Sequence, residues 1–217
     1  MRIFLLVIIF IFPRLTWAQL DMDSINSEFA IFIEPLSILP TYSGSSLRVG
    51  TEYKLKKKWS MYNELGYYVN YINEANYPKR VKGYTTKIEL KHYRINVNQA
   101  SGRYISLEFF LKNQNYIATD TIHNGLIRYG KEYSVSKNVE ALSIKYGKLK
   151  VYKFGLVIDS YIGVGVRFKQ TENSLTEEEN KYMESSTDYG PNKITHRAGN
   201  FIYPNFSLGI RIGYRLK

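Results

Sequence analysis

The chain has 217 residues, which suits one domain, and 44% of them are hydrophobic, which argues against a disordered chain. It contains no cysteine, so disulfides, cysteine-based zinc sites and a lipid-modified cysteine are all excluded. The formal net charge of +11 at pH 7 would suggest nucleic acid for a cytoplasmic protein. For an exported chain, lipid phosphates or internal ion pairs explain the excess better, and we expect no nucleic-acid partner.

The N-terminus has the pattern of a secretory signal peptide. Arg2 precedes an apolar run over residues 3–12, and Thr16 and Ala18 supply small residues before Gln19. The run is too short for a transmembrane helix, which needs about 20 apolar residues. The sequence therefore predicts a cleaved signal peptide over residues 1–18 and a mature domain over residues 19–217.

Alternation of apolar and polar residues predicts eight β-strands in the mature chain. These are residues 29–39, 47–55, 59–72, 84–95, 103–116, 135–146, 153–169 and 202–216. In the last strand, Leu208 and Ile210 lie on one face and Arg211 and Arg215 on the other. The apolar phase shifts near Val139 in the sixth strand, which predicts a bulge there.

The connections between these strands alternate in length. Short ones follow the second, fourth and sixth strands, at residues 56–58, 96–102 and 147–152. Long polar ones follow the third, fifth and seventh strands, at residues 73–83, 117–134 and 170–200. Short turns at one end and long loops at the other are typical of an outer-membrane barrel.

Periodicity does not say whether the apolar face points inward, as in a soluble barrel, or outward, as in a membrane barrel. The signal peptide, the strand lengths and the aromatic residues near strand ends favour the outward orientation. A soluble, lipocalin-like carrier of an apolar ligand stays open as an alternative. The aromatic residues predicted to form girdles at the lipid–water boundary are Trp59, Tyr67, Tyr68, Tyr71, Tyr116, Tyr203 and Tyr214.

The strand 47–55, the segment Leu65-Gly66-Tyr67-Tyr68 and the closing strand 204–214 carry a family resemblance. The mature chain resembles the small outer-membrane β-barrels of Gram-negative bacteria, which include the eight-stranded outer membrane protein A and X type and uncharacterised families common in Bacteroidetes. The resemblance implies a single all-β, eight-stranded, antiparallel up-and-down transmembrane barrel with short periplasmic turns and long exterior loops.

The same resemblance implies a location in the outer membrane. Its partners would be the outer-membrane lipid, including lipopolysaccharide, the barrel-assembly machinery, and an exterior ligand or protein bound by the loops. Barrels of this type usually end in an aromatic residue that the assembly machinery reads. This chain ends Tyr214-Arg215-Leu216-Lys217 and so departs from that pattern.

An outward apolar face would leave many charged side chains in the lumen. An eight-stranded barrel is just wide enough for its own side chains, so these charges are predicted to pair as a plug. Glu52, Glu64, Glu89 and Glu108 would form one layer that faces bases on the remaining wall. The alternative is an ion path or a carboxylate site. The predicted network is Arg48, Glu52, Lys54, Glu64, Lys87, Glu89, Lys91, Glu108, Lys112, Lys145, Asp159, Arg167, Arg211 and Arg215, with Lys169 on the same face.

Signals for chemistry are few. The three histidines are His92, near a short turn, and His123 and His196, in the long loops near Asp120 and Asp188. A barrel enzyme that acts on lipid or peptide through these loop residues is the alternative to a non-enzymatic structural or surface-interaction role. No ligand spacing indicates a metal, and no cofactor is expected.

The last long loop carries a capping-box pattern. Thr176 is followed three residues later by Glu179 within an acidic stretch, which predicts one or two helical turns. We expect this stretch to be solvated.

Overall fold

The computed structural model describes residues 29–39, 45–56, 58–69, 79–94, 101–124, 127–152, 154–184 and 196–216. The predicted signal peptide, Tyr71 and Asp188 lie outside the described residues. The strands are β1 (Phe29–Ile33), β2 (Ser45–Lys56), β3 (Trp59–Val69), β4 (Lys79–Tyr93), β5 (Ser101–Asn124), β6 (Ile127–Val151), β7 (Leu156–Asn173), β8 (Met183–Glu184) and β9 (Gly199–Leu216). A 3₁₀ turn (Pro35–Ile38) follows β1, and a short helix, α1 (Glu177–Lys181), follows β7.

Eight of these strands form a closed antiparallel ring. Each pairs with its neighbour in the order β1, β2, β3, β4, β5, β6, β7 and β9, and β9 pairs back onto β1. The fold is therefore the predicted all-β, eight-stranded up-and-down barrel. We call the end with the β2–β3, β4–β5 and β6–β7 connections the turn end, and the opposite end the hairpin end. Among the described residues, no helix is long and apolar enough to cross a membrane.

Alternation along the strands gives the barrel an apolar outside. Leu208 on β9 is 80% exposed and Leu65 on β3 is 71% exposed. Arg211, three residues after Leu208, is fully buried. The predicted outward faces of the second, third, fourth, fifth, seventh and closing strands are confirmed by this pattern. The outward apolar residues include Ile31, Ile33, Leu47, Val49, Leu65, Leu90, Ile105, Leu107, Leu142, Ile144, Ile162, Val164, Val166, Phe206, Leu208, Ile210 and Ile212.

β1 is shorter than the predicted strand 29–39. Pro35 has no backbone N–H to donate, and the chain turns there into the 3₁₀ segment. Glu34, the last residue before this turn, continues the inward face of Ala30 and Phe32 and is buried. Proline thus ends the strand directly after a carboxylate that points into the lumen.

β5 and β6 form a long hairpin that extends beyond the ring. β4 pairs with β5 only as far as Ile117, and β7 pairs with β6 only from Val135. Residues 118–124 and 127–134 continue as an antiparallel pair beyond the ring. The predicted loop 117–134 is therefore wrong. This stretch is rich in Thr and Tyr, which have a high propensity for strands. It therefore forms paired strands where a loop was predicted.

The predicted bulge near Val139 is also wrong. β6 pairs with β5 and with β7 without a register shift. Leu142, Ile144 and Tyr146 point outward as predicted, while Val135 and Val139 are buried inside. The apparent phase shift arises because the inner face of β6 becomes apolar toward the hairpin end.

These inward apolar side chains form a cap over the hairpin end of the barrel. β8 pairs with β5 at Thr121 and Ile122, where β4 no longer covers its edge. The predicted capping box is confirmed at the start of α1, with Thr176 and Glu179 bonded to each other's backbone N–H. We call the following cluster the apolar cap: Tyr68, Val81, Tyr116, Ala118, Ile122, Tyr133, Val135 and Leu175, with Met183 packed against it.

Only some of the aromatic residues predicted to form girdles point outward. Trp59, Tyr67 and Tyr214 are exposed on the outside of the barrel. Tyr68 and Tyr116 are buried inward, and Tyr203 shares the inner face of β9, so their assignment to the girdles is wrong. In a segment rich in tyrosine, one residue of register decides whether a side chain lies on the outside of the barrel or in its interior.

Candidate functional site

The main polar feature is a set of buried ion pairs on the barrel axis. We call Glu52, Glu89, Lys91, Glu108, Lys145, Asp159 and Arg211 the central cluster; it lies toward the turn end. We call Glu34, Arg48, Glu64 and Lys87 the Glu34 cluster; it lies nearer the hairpin end. Together the two clusters hold six carboxylates and five bases, so their charges nearly cancel.

Arg211 joins the strands of the central cluster. Its guanidinium donates to Glu89 at 2.7 Å and to Asp159 at 3.1 Å. Lys91 Nζ donates to Glu52 at 2.6 Å and to the same Asp159 oxygen at 2.8 Å. Lys145 bonds Glu108. Charges buried away from water persist only with such partners, and these link residues on both sides of the lumen.

Tyrosine hydroxyls complete the coordination of the carboxylates. Tyr93 donates to Glu52 and Tyr104 to Asp159, both at 2.7 Å. The Arg211 guanidinium lies 3.9 Å from the ring centroid of Tyr62 and 4.3 Å from that of Tyr161. The rings therefore separate the two clusters and also bind the charge by cation–π contact. Alternation places these tyrosines on the inner face, but their role was not predicted.

The Glu34 cluster depends on a residue that the sequence reasoning missed. Glu34 accepts from Arg48 at 2.7 Å, from Lys87 at 3.0 Å and from Tyr161 at 2.5 Å. Lys87 also contacts Glu64 at 2.9 Å. Glu34 shares the inner face of Ala30 and Phe32, but it was not predicted as a network member because Pro35 obscures the alternation at the end of this strand.

Inner-face glycines make room for the tyrosine rings. A Cβ atom at Gly50 would lie 2.1 Å from the Tyr62 hydroxyl oxygen, and one at Gly209 would lie 2.3 Å from that of Tyr161. A larger residue at either position would displace a ring that lines the ion pairs. Glycine here serves close packing across the lumen.

The predicted single layer of glutamates is not what the structure contains. Glu64 belongs to the Glu34 cluster, while Glu52, Glu89 and Glu108 belong to the central cluster. Several of the bases that pair with these glutamates lie on the same strands as the glutamates or on neighbouring strands. The prediction had placed them on the remaining wall of the barrel. For example, Lys87 is on β4, directly paired in register with Glu64 on β3.

Four predicted network members lie outside both clusters. Lys54 and Arg215 line a small cavity of about 30 Å³ at the turn end. Lys112 and Arg167 face the lumen beyond the Glu34 cluster, and neither contacts a carboxylate among the described residues. Lys112 and Arg167 thus share the inner face predicted for them but lie outside the ion-paired clusters.

A second polar group lies in the hairpin extension. His196 Nδ1 is 2.9 Å from Asp120 Oδ2, and the Tyr133 hydroxyl donates to the same oxygen. Burial alone would raise the pKa of Asp120, but the bonds from His196 and Tyr133 outweigh it and hold the pKa below its usual range. Burial, reinforced by the Asp120 carboxylate, raises the pKa of Tyr133.

This Asp–His pair has the geometry of a base with its orienting group. A hydrolase also needs a nucleophile beside the other ring nitrogen, and His196 Nε2 has no hydrogen-bond partner among the described residues. The Tyr116 ring packs against the imidazole at 5.5 Å. His123 is exposed on β5, and the ring of His92 lies 4.6 Å from that of Trp59. The arrangement ties the chain before β9 to the long hairpin.

The described residues give less support to a metal site or to a cavity for an apolar ligand. Within the described residues, no group of three or more His, Asp or Glu side chains is placed to hold a metal ion. A carrier of apolar ligands needs an apolar interior, whereas this barrel has buried charges inside and apolar side chains outside. The polarity of the two faces is the inverse of what the soluble alternative requires.

Comparison with known proteins adds distant likenesses. No protein-family model and no curated protein sequence matches the chain. The N-terminal β-barrel domain of Pseudomonas aeruginosa OprF is similar over 88% of this chain and 96% of its own, at 11% identity and a TM-score of 0.42. A major outer membrane protein from Thermus thermophilus is similar over 88% and 100%, at 12% identity and a TM-score of 0.46. At this distance the fold rests on the strand pairings of the chain itself.

Proposed function

We propose that the chain is a non-enzymatic barrel of the outer membrane, with a lumen closed by ion pairs and a structural or surface-interaction role. The turn end would face the periplasm, and the β5–β6 hairpin with its cap would stand outside the cell. The predicted signal peptide, residues 1–18, fits this route. Export with cleavage gives a mature protein that begins at Gln19, which mass spectrometry of the purified protein checks.

The observation that carries the proposal is the polarity of the wall. Burial of apolar surface lowers the free energy by roughly 25 cal/mol per Å². A continuous apolar exterior around the whole barrel would therefore be unfavourable in water. The interior holds fully buried Arg211 and Lys91. A hydrocarbon environment around the barrel would accommodate the apolar exterior. The ion pairs compensate the charges buried inside.

The dimensions of the apolar band suit a bilayer. On β7 the outward apolar positions run from Leu156 to Phe168, interrupted by Ser160. Thirteen residues at about 3.3 Å each, tilted by about 40°, cover roughly 30 Å, near the thickness of a hydrocarbon core. On β6 the band is shorter, from Leu142 to Tyr146, and Glu140 and Lys148 flank it.

A lysine scan on the outside tests the membrane proposal. Leu208→Lys puts a charge in the middle of the band, while Thr119→Lys puts it on the exposed face of the hairpin. In lipid vesicles we expect Leu208→Lys to lower the free energy of unfolding by about 2–4 kcal/mol and Thr119→Lys to change it little. A chain that stays soluble without detergent, or equal effects of the two variants, would refute the membrane location.

Single-channel recording tests the closed lumen. The central cluster crosses the barrel through side chains with almost no exposed surface, so we expect no steady conductance from the protein in planar bilayers. A stable, ion-selective conductance of the unmodified protein would contradict the plug and favour the ion-path alternative.

A surface role is supported by the hairpin end. The strands continue beyond the ring for residues 118–124 and 127–134, and the apolar cap packs beneath them. Glu179 of α1 accepts from Lys131 at 2.5 Å and from Tyr129 at 3.1 Å, which fixes the helix against β6. An isolated hairpin is marginally stable, and these contacts make it a supported platform.

A further inference from the structure

Several of the lumenal bases outside the two clusters lie at one level of the barrel. The two ion-pair clusters are nearly neutral, and the bases without carboxylate contacts lie just beyond them toward the hairpin end. Lys112 on β5 pairs in register with Thr85, two residues from Lys87 of the Glu34 cluster. Lys137 on β6 pairs with Gln114, which makes it a diagonal neighbour of Lys112 on the inner face.

None of these cations is neutralised by the described residues. Lys112 Nζ lies 5.0 Å from the ring centroid of Tyr68, and Lys137 Nζ lies 5.0 Å from that of Tyr116. Arg167 donates to the neutral Asn205 side chain, with distances of 3.0 and 2.5 Å. Cation–π contacts and a neutral acceptor stabilise a charge but leave the local excess of positive charge in place.

Unpartnered hydroxyl groups lie beside the same lysines. Thr85 is paired in register with Lys112, and Thr171 with Lys137. Both threonines are at least nine-tenths buried, and the Oγ1 atom of each lacks a hydrogen-bond partner among the described residues. Buried hydroxyl groups almost always have a hydrogen-bond partner, so two without one beside two cations indicate a missing acceptor.

The lumen is less tightly packed around Lys112 and Arg167 than in the central cluster. Lys91 and Arg211 of the central cluster show no exposed surface. Lys112 and Arg167 also point inward, yet they are only half-buried. The space around these two side chains lies between the Glu34 cluster and the apolar cap.

We propose that this space binds a hydrated inorganic oxyanion of the phosphate or sulfate type, held between the ammonium groups of Lys112 and Lys137. Arg167 adds positive charge, and Thr85 and Thr171 donate to the ion or to its water. Lys169 lies on the same face, over the Phe201 ring at 5.4 Å. The apolar cap shields the ion from bulk solvent, which strengthens the attraction. The site goes beyond the structural role and does not depend on it.

Anion titration of the full chain in a nonionic detergent tests the site. Inorganic phosphate and sulfate are added against chloride at matched ionic strength, and binding is followed by calorimetry and by the thermal unfolding midpoint. We expect saturable binding of one ion per barrel and a rise of the midpoint with phosphate or sulfate that chloride does not produce. Absence of saturable binding, or an equal effect of chloride, overturns the proposal.

Matched variants locate the ion. Lys112→Gln and Lys137→Gln are expected to weaken phosphate binding at least tenfold, and Lys148→Gln, on the exposed outer face, to leave it unchanged. Thr171→Val keeps the charges and the shape, and we expect a several-fold loss, so it serves as the readout if a lysine variant fails to fold. Equal affinity of Lys112→Gln, Lys137→Gln and the parent overturns the site.

A lipid arm separates two sources of phosphate. Short-chain phosphatidylglycerol added to the micelles without inorganic phosphate presents headgroup phosphates to the outside of the barrel. We expect it to leave the lumenal site unfilled, so that inorganic phosphate still binds with the same stoichiometry. If the lipid stabilises the parent but not Lys112→Gln while inorganic phosphate has no effect, the free-oxyanion proposal is wrong.

Discussion

Replacement of Arg211 gives the most direct test of the ion-paired interior. The Arg211→Met variant keeps most of the side-chain volume between the rings of Tyr62 and Tyr161 but removes the charge. Glu89 then loses its contact at 2.7 Å and keeps Ser106 at 2.6 Å, with Lys145 at 3.7 Å. The variant therefore exposes how much one buried guanidinium contributes to the folded state.

The remaining contacts set the size of the effect. Asp159 keeps Lys91 at 2.8 Å and Tyr104 at 2.7 Å, so it stays paired. Glu89 becomes the undercompensated group. Removal of one partner of a buried ion pair typically costs about 3–5 kcal/mol. We expect Arg211→Met to lower the free energy of unfolding by about 4 kcal/mol, which is about a thousandfold in the folding equilibrium.

Reversible urea unfolding in lipid vesicles measures this change, with heat-modifiable gel mobility as a check that the barrel forms. Arg103→Met on the exposed face of β5 is the matched control and should cost less than about 1 kcal/mol. Glu89→Gln combined with Arg211→Met removes both charges and should recover a large part of the loss. A cost for Arg211→Met no larger than for the control, or no recovery in the double variant, would refute the reasoning.

Two further variants test packing and titration. Gly50→Ala would place a methyl group against the Tyr62 ring and should lower the free energy of unfolding by about 1–3 kcal/mol. A Cβ at Gly130 would have nothing within 4 Å, so Gly130→Ala should be nearly neutral in the same unfolding assay. Equal effects of the two variants would contradict the packing argument. Because the folded-state pKa of Asp120 lies below its usual range, its contribution to the hairpin is present above about pH 4 and is lost as the pH falls through the folded-state pKa. Amide hydrogen exchange of the hairpin over this range should show the loss in the parent and a smaller change in His196→Ala; an identical pH profile would contradict the role of the pair.

Strand number, ring order and the outward direction of most apolar side chains could be predicted from period-two alternation. The same alternation assigned Lys87, Lys91 and Arg211 to the lumen. It also places Glu34 on the inner face, two residues after Phe32, although Pro35 obscures the pattern there and Glu34 was not predicted as a network member. It also misjudged the hairpin extension, since polar residues such as Thr119 and Thr121 suit a solvated strand as well as a loop.

The pairing of charges could not be predicted from the sequence for a geometric reason. Alternation says which face a side chain occupies, but partners across the lumen depend on strand tilt and shear. Glu34, directly after β1, meets Lys87 on β4, and Asp159 on β7 meets Lys91 on β4. Such pairs, separated by 53 and 68 residues in the chain, follow only from the closed ring.

The separation of charge along the axis has a physical consequence for the barrel. Where the lumen is fully packed, every base has a carboxylate and a tyrosine near it, because an unpaired charge there would have neither water nor space. Where the lumen is less tightly packed, Lys112 and Arg167 lie beside buried hydroxyls and contact no carboxylate among the described residues. We propose that the closed region resists the passage of ions and that the less tightly packed region binds an anion. A net charge of +11 is therefore compatible with a neutral plug, because part of the excess is concentrated where an anion can balance it.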